Sequence, residues 1–388
     1  MVKIAAIGWY GTETIGDRAI FAGLISLLGK TFQDMEISLG SLYPFYTERM
    51  LFEDRGIYSR MLGKGLKVSL FNSKKTKELD QAISSSDLVI MAGGPLMHIK
   101  PLHMVDYAFR KAKKLGKKTA VLGCGVGPIF HEEFHKALLS IFDNSDSIIL
   151  RDKTSESTLR QVFSLHNRDL QHTTIHTALD PAIICAHEHR ETETPVQNKE
   201  KFISINYRDF PLEYAQTSLE RNINEEILYF TEHISRAFPD CLLRFTPMHY
   251  FHIGTDDRCF LNDLLLKLKL PNAVVQNKPL TLSETLSVFS DATFCIGMRF
   301  HSVLLQTVLN GKNIILDYTE PNKGKIYGFL KMIDFLSMFG KYRYINLQDA
   351  FLSFDCFDWE NIETPFALRE SSIETVYSTY REALSGLL

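Results

Sequence analysis

The chain has 388 residues, with 43 Lys or Arg against 46 Asp or Glu and a formal charge of -3. That balance excludes a polycationic footprint for nucleic acid and a basic tail for a membrane surface, while leaving room for a local basic pocket. The length favours two domains of ordinary size, each with its own core.

The first apolar run, "KIAAIG", is very short and ends in Gly, so it predicts a strand rather than a signal peptide. Strand and helix patterns then alternate through "RAIFAGLISLLGK", "MEISLGS", "SDLVIMAGG", "HMVDYAFRKAKKLGK", "KTAVLGCG", "EEFHKALLSIFDNS" and "SIILRD". Such alternation predicts right-handed βαβ units on a mostly parallel sheet. A charged, Pro-containing interval, "AHEHRETETPVQNKEK", interrupts the pattern and reads as the domain boundary.

Past it the alternation restarts at "FISINYRDF" and runs through "CLLRFTPM", "LSETLSVFSDA", "TFCIG", "SVLLQTVLNG" and "NIILDY". The expected organisation is an N-terminal Rossmann-like domain over 1–187, a C-terminal one over 200–345, and a helical segment over 346–388 that packs back on the first domain. Two doubly wound α/β domains facing a cleft resemble the GT-B class of glycosyltransferases. No apolar stretch approaches the about 20 residues needed to span a bilayer. The six cysteines form no C-x-x-C pair and read as reduced, buried thiols. The expectation is a cytoplasmic protein, with peripheral contact at the inner face of the membrane if its substrate lies there.

Ligands of open parallel sheets collect beyond the carboxyl ends of the strands, so residues just after each strand carry the candidates. They are Gly16 in "WYGTETIGDRA", Gly94 in "AGGPLM", Gly125 in "GCGVGP", Arg151, Arg208, His249, and Arg299 with Phe300 and His301 in "GMRFH". Glycine turns free backbone N–H groups for anions, yet tight strand-to-helix turns need glycine for backbone reasons alone. Arg299 and His301 stand at the mouth of an amphipathic helix, where a cation ending a buried strand needs an anion or water. Either the pair meets an anionic ligand, or Arg299 caps a neighbouring carbonyl while His301 packs under the loop; spacing alone leaves both open. Lys323 and Lys325, after "NIILDY", could reach the same place. "HEEFH", His131 to His135, matches the H-E-x-x-H of zinc hydrolases but lacks a plain third ligand and an apolar flank, so no metal is expected.

Taken in order, "GDRA", "AGG", "GCGVGP", "RDKTSESTL", "LDPA", "INYR", the "DD" at 256 and 257, "GMRFH" and "GKNIILDYTEPNKG" resemble the polysaccharide pyruvyl transferase family over about Ile4 to Gly328. The resemblance implies transfer of the enolpyruvate-derived group of phosphoenolpyruvate to two hydroxyls of a sugar. A pyruvate ketal forms and phosphate is released, with phosphoenolpyruvate as donor substrate and no cofactor or metal. It also implies that Arg299 and His301, on the family's Arg-x-His motif, bind phosphoenolpyruvate, that Arg208 lines the donor pocket, and that Asp17 touches the acceptor. This chain departs from the family at Arg18, where an acidic residue is common, at Pro95 in place of a third glycine, and at Phe300 in place of leucine.

A small trianion needs several cations in fixed geometry, and ketal formation needs a proton at the methylene carbon and a base for the sugar hydroxyls. His301 is expected to handle the proton at the methylene carbon or at the departing phosphate, with Asp17 as first and Asp256 as second candidate for the base. Two other functions fit the fold: a glycosyltransferase using a nucleotide sugar, or a non-catalytic anion-binding paralogue.

Overall fold

The computed structural model describes residues 1–63, 65–168, 174–193, 200–211 and 221–387. The chain divides into two compact units. One comprises Met1–Thr12, Asp17–Cys185 and Glu370–Leu388, and the other comprises Glu13–Gly16 and Ala186–Arg369. Residues 194–199 of the interval read as a boundary lie outside the described residues.

The N-terminal unit holds a sheet of β1 (Val2–Ile7), β2 (Met35–Ser41), β3 (Val68–Asn72), β4 (Leu88–Leu96), β5 (Lys118–Val126), β6 (Ser147–Leu150) and β7 (Ile175–Thr177). Its order is β3-β2-β1-β4-β5-β6-β7, and every pairing is parallel. Strands buried on both faces read as continuous apolar runs. β1 and β4 obey this: Ile4 to Ile7 and Leu88 to Ala92 are all buried. One face is closed by the helices Leu102–Lys114 and Glu132–Asp143, whose Val105, Phe109, Leu138 and Phe142 join the core.

The C-terminal unit holds β8 (Phe202–Asn206), β9 (Leu242–Phe245), β10 (Ala273–Val275), β11 (Phe294–Gly297), β12 (Asn313–Asp317) and β13 (Tyr344–Asn346), in the order β10-β9-β8-β11-β12-β13 and again all parallel. Both sheets thus repeat the 3-2-1-4-5-6 order, which reverses beside the first strand and opens a crevice there at the carboxyl edge. In the N-terminal unit that point is β1/β4, and in the C-terminal unit it is β8/β11.

The segment expected as one helical piece over 346–388 is divided. Residues to Arg369 belong with the second sheet, while the helix Glu370–Ser385 belongs with the first. There Lys30 Nζ sits 3.6 Å from the centroid of the Tyr377 ring. Of the cysteines, Cys124, Cys185, Cys241 and Cys295 are buried, while Cys259 and Cys356 are exposed. Among the described residues, no helix is long and apolar enough to cross a membrane.

Candidate functional site

The β8/β11 crevice of the C-terminal unit gathers cations from adjacent strand ends. β8 delivers Tyr207 and Arg208, β11 delivers Met298 and Arg299, and β12 delivers Tyr318. Arg208 is half-buried, and its guanidinium lies 5.1 Å from the centroid of the Tyr318 ring. Lys325, at the start of the helix Lys325–Met332, brings its Nζ to 5.7 Å from the same ring. Tyr318 itself is only 2% exposed. Burial pushes its phenol up, but Lys325, Arg208 and Arg299 together bring it down to about 8.

Arg299 is not a loose cation. Its Nε donates to Oδ1 and Oδ2 of Asp257 at 2.8 and 2.9 Å, and its Nη2 donates to that carboxylate and to the Thr255 carbonyl. Its backbone N–H donates to Asn206 Oδ1 at 3.1 Å, tying the end of β11 to the end of β8. Asp257 is 1% exposed and accepts in addition from the backbone N–H groups of Met248 and His249. A charge this deep survives because every carboxylate oxygen is met. No described residue takes a hydrogen bond from Arg299 Nη1, so one edge of the fork remains for a ligand.

Arg299 is also the N-cap residue of the helix Phe300–Leu309, and its side chain makes no capping bond. The positive end of that helix therefore opens at the crevice. Phe300 is buried and packs edge-on against Phe329, which makes it core rather than lining. His301 stays half-buried with its Nδ1 edge over Gly16, where an added Cβ would collide with the ring. Gly16 thus serves the site by having no side chain.

The segment carrying Gly16 is stitched to the loop after β9. Ile15 N–H donates to the Met248 carbonyl, Tyr250 N–H donates to the Glu13 carbonyl, and Thr14 pairs with His249 as an antiparallel bridge. His249 Nε2 lies 2.6 Å from the Ile253 carbonyl, which fixes it as the donor, so Nδ1 accepts from Thr14 Oγ1 at 2.7 Å. Burial first, then Arg299, hold this imidazole below its ordinary pKa. His249 is therefore a neutral strut of the loop.

Two other expected residues have different duties. Asp256 is the N-cap of the helix Asp257–Leu268, accepting from Arg258 N–H and ion-pairing with the Arg258 guanidinium. Although burial pushes its carboxyl up, these bonds leave it below the usual range, the wrong direction for a base. Lys323 is exposed and pairs with Glu320, whereas its neighbour Lys325 reaches Tyr318.

The β1/β4 crevice of the N-terminal unit is furnished otherwise. Trp9 Nε1 donates to the Pro95 carbonyl and Tyr10 Oη to the Ala92 carbonyl, so two rings occupy the switch point. Gly94, at φ 76°, faces Trp9 Cδ1, and Gly125 faces the Arg151 guanidinium, where an added Cβ would stand 2.6 Å from Nη2. These glycines permit close packing and do not form an anion nest. Arg151 is 4% exposed and pairs with Asp180 at 3.3 Å and Asp152 at 3.6 Å.

Asp17 stands beside this cluster in the first turn of the helix Ile15–Thr31, accepting a 3.4 Å hydrogen bond from Thr12 Oγ1. Dry surroundings push its carboxyl up to about 7; Asp180 adds to the rise, and Thr12 and Arg151 oppose it. The side chain keeps part of its surface open to solvent. Arg18 instead turns to Glu53 at 3.1 Å and Asp54 at 3.2 Å, a buried structural pair that accounts for a cation at that position.

Among the described residues, no cluster of three or more His, Cys, Asp or Glu is placed to hold a metal ion. His131 precedes the helix Glu132–Asp143 as its extended N-cap residue, so it does not share a helical face with His135. It packs on His98, while His135 meets His166.

Sequence reasoning names Lys325 only beside Lys323 and passes over Asp257 and Tyr318 as site residues. The "DD" pair and the two lysines of "NKGK" were visible signals, but only the cap geometry and the helix start decide between neighbours.

Residues 15–320 match the profile of the polysaccharide pyruvyl transferase family. No curated protein matches the chain. Solved structures share its fold at low identity. MnaA of S. aureus, in a co-structure with UDP, is 13% identical with a TM-score of 0.53, over 92% of this chain and 93% of that one. A UDP-GlcNAc 2-epimerase from Neisseria meningitidis bound to UDP-GlcNAc is 10% identical with a TM-score of 0.50, over 98% and 100%. A glycosyltransferase from Rickettsia africae is 11% identical with a TM-score of 0.50, over 99% of each chain. The fold is thus the GT-B-like α/β fold with two parallel sheets, as the sequence pattern leads one to expect.

Proposed function

The chain belongs to the polysaccharide pyruvyl transferase family, and from that premise we propose that it moves the enolpyruvate-derived group of phosphoenolpyruvate onto two hydroxyls of a sugar, forming a pyruvate ketal and releasing phosphate. The observation that carries the reading is the cation set at the β8/β11 crevice: Arg208, Arg299 and Lys325 around Tyr318, beside an uncapped helix N-terminus. A trianion loses a large hydration energy on binding, and several fixed cations offset that loss better than one. In this reading Arg299 Nη1 and Arg208 hold the carboxylate and phosphate, and Lys325 adds a mobile charge.

His301, at the same helix start, assists the departing phosphate as a proton donor once the anion has raised its pKa. Asp17 serves as base for the attacking sugar hydroxyl. A carboxyl near 7 accepts a proton more readily than an ordinary one, because its charged form is poorly solvated. No metal is required by any of these roles.

The test is calorimetric titration with phosphoenolpyruvate, followed by phosphate release with galactosyl, glucosyl and N-acetylmannosaminyl acceptors and mass identification of the ketal. Release of UDP from UDP-sugars in place of phosphate from phosphoenolpyruvate would establish the glycosyltransferase reading instead. Saturable anion binding with no turnover on any acceptor would favour a binding paralogue.

A further inference from the structure

Tyr318 is more heavily constrained than a residue that merely lines a pocket. Its carbonyl accepts from Gln348 Nε2 at 2.9 Å, and the next residue is fixed twice, by Asp317 Oδ1 accepting from Thr319 N–H and by Asn346 Nδ2 donating to the Thr319 carbonyl. Asp317 is itself held by the Tyr344 hydroxyl at 2.9 Å. The phenol is thereby pinned at the end of β12, one strand from the crevice.

Charged groups surround it. Arg208 from the segment after β8 lies over the ring, Lys325 from the next helix brings its Nζ to 5.7 Å from the ring centroid, and Arg299 from the end of β11 acts at longer range. Asp257 is already spent on Arg299, and the Asp317 carboxyl, raised first by burial, is engaged by Thr319 and Tyr344. Burial disfavours the phenolate, and the surrounding cations outweigh it.

We propose that Tyr318 is the acid that delivers the proton to the methylene carbon of phosphoenolpyruvate. The assignment rests on the donor pocket proposed above and divides its labour, leaving His301 to the phosphate. The Tyr318 O–H bond breaks and a C–H bond forms at the methylene carbon. C2 becomes electrophilic and bonds the first sugar oxygen, whose proton goes to the base, and the phenolate regains its proton from solvent between turnovers. Phosphate then leaves C2 with its bonding pair and takes the proton of His301, and the oxygen of the second hydroxyl closes the ketal while its proton restores His301. The phenolate left after the first step is stabilised by the cations that bound the substrate. An arriving trianion also opposes loss of the phenol proton, so the substrate keeps its own acid protonated.

The full chain and its Tyr318→Phe variant are compared in three measurements: phosphoenolpyruvate binding by calorimetry, phosphate release against pH, and phenolate absorbance during alkaline titration. Expected are binding within about threefold of wild type, turnover lower by about a hundredfold or more, and loss of the wild-type decline above about pH 8. In the titration, wild type should show a phenolate near pH 8 that is absent from the variant and shifted upward by phosphoenolpyruvate. This arm needs no acceptor and reports on a folded variant independently of activity. Wild-type turnover in the variant, or a phenolate that phosphoenolpyruvate leaves unmoved, overturns the assignment while the donor reading stands. Failure of wild type to bind phosphoenolpyruvate overturns both.

Discussion

The two units repeat one strand order and furnish its switch point with opposite chemistry. At β8/β11 the strand ends bring Arg208, Arg299 and Lys325 around a phenol. At β1/β4 two aromatic rings fill the crevice, and beside them a carboxyl is held near neutral. Topology thus decides where functional side chains are placed, and residue type decides what they do. The contrast extends to pH. Asp17, raised from 3.8 to about 7, binds more protons folded than unfolded, so its contribution to stability falls as pH rises through that window. Tyr318, lowered from 10.0 to about 8, binds fewer, so its contribution rises between those values.

The largest effect should come from breaking the buried pair behind the cation set. Asp257→Ala leaves the Arg299 guanidinium without its carboxylate and frees the N–H groups of Met248 and His249. A loss of about 3–5 kcal/mol in denaturant unfolding is expected. Asp256→Ala next to it removes a helix cap and a partly exposed pair, and should cost about 1 kcal/mol. Equal losses would mean that the buried pair is not what holds the crevice.

Asp17→Asn sharpens the comparison from the other unit. Turnover should fall by about a hundredfold, the usual loss for a general base. The variant should nevertheless be more stable above pH 7, by about 1–3 kcal/mol once the partial solvent contact of Asp17 is allowed for. That gain should vanish below pH 4, where the wild-type carboxyl is neutral folded and unfolded alike. Urea midpoints across that range read the sign directly, and a destabilised variant at pH 8 would remove the strain argument.

Arg208→Ala and Lys325→Ala should each weaken phosphoenolpyruvate binding by about tenfold to a hundredfold, since each removes one charge-assisted contact. Lys323→Ala should change it less than about twofold, because that lysine only pairs with Glu320 at the surface. Arg299→Ala is a poorer test of binding, since it also strips Asp257 of its partner.

Much of this is legible in the sequence. Short apolar runs alternating with helical segments marked both sheets, and the arginines after "SINY" and "CIGM" fell at the expected strand ends. What pattern reading could not do was choose between adjacent residues. Asp256 and Asp257 are identical in the sequence, yet one caps a helix and the other sits under Arg299. Lys323 and Lys325 differ only in which side of a helix start they occupy. Gly94 and Gly125 look like anion-binding turns, and only the side chains packed on them, Trp9 and Arg151, show that the space is taken. Each of these distinctions depends on a non-local partner, which spacing along the chain does not encode.

Gly16→Ala is the smallest of the expected effects and the most discriminating for His301. The added methyl gains helix propensity of about 1 kcal/mol but must displace the imidazole that lies over the Cα. The two effects should nearly cancel in stability. The cations that bind phosphoenolpyruvate are untouched, so KM for the donor should stay within about twofold. A ring displaced from the helix mouth is poorly aimed at a leaving phosphate, and kcat should drop by about tenfold. A drop in kcat with KM unchanged assigns His301 to the chemical step. A rise in KM with kcat unchanged would instead make it a binding residue, and the C-terminal crevice would then have only Tyr318 to move protons.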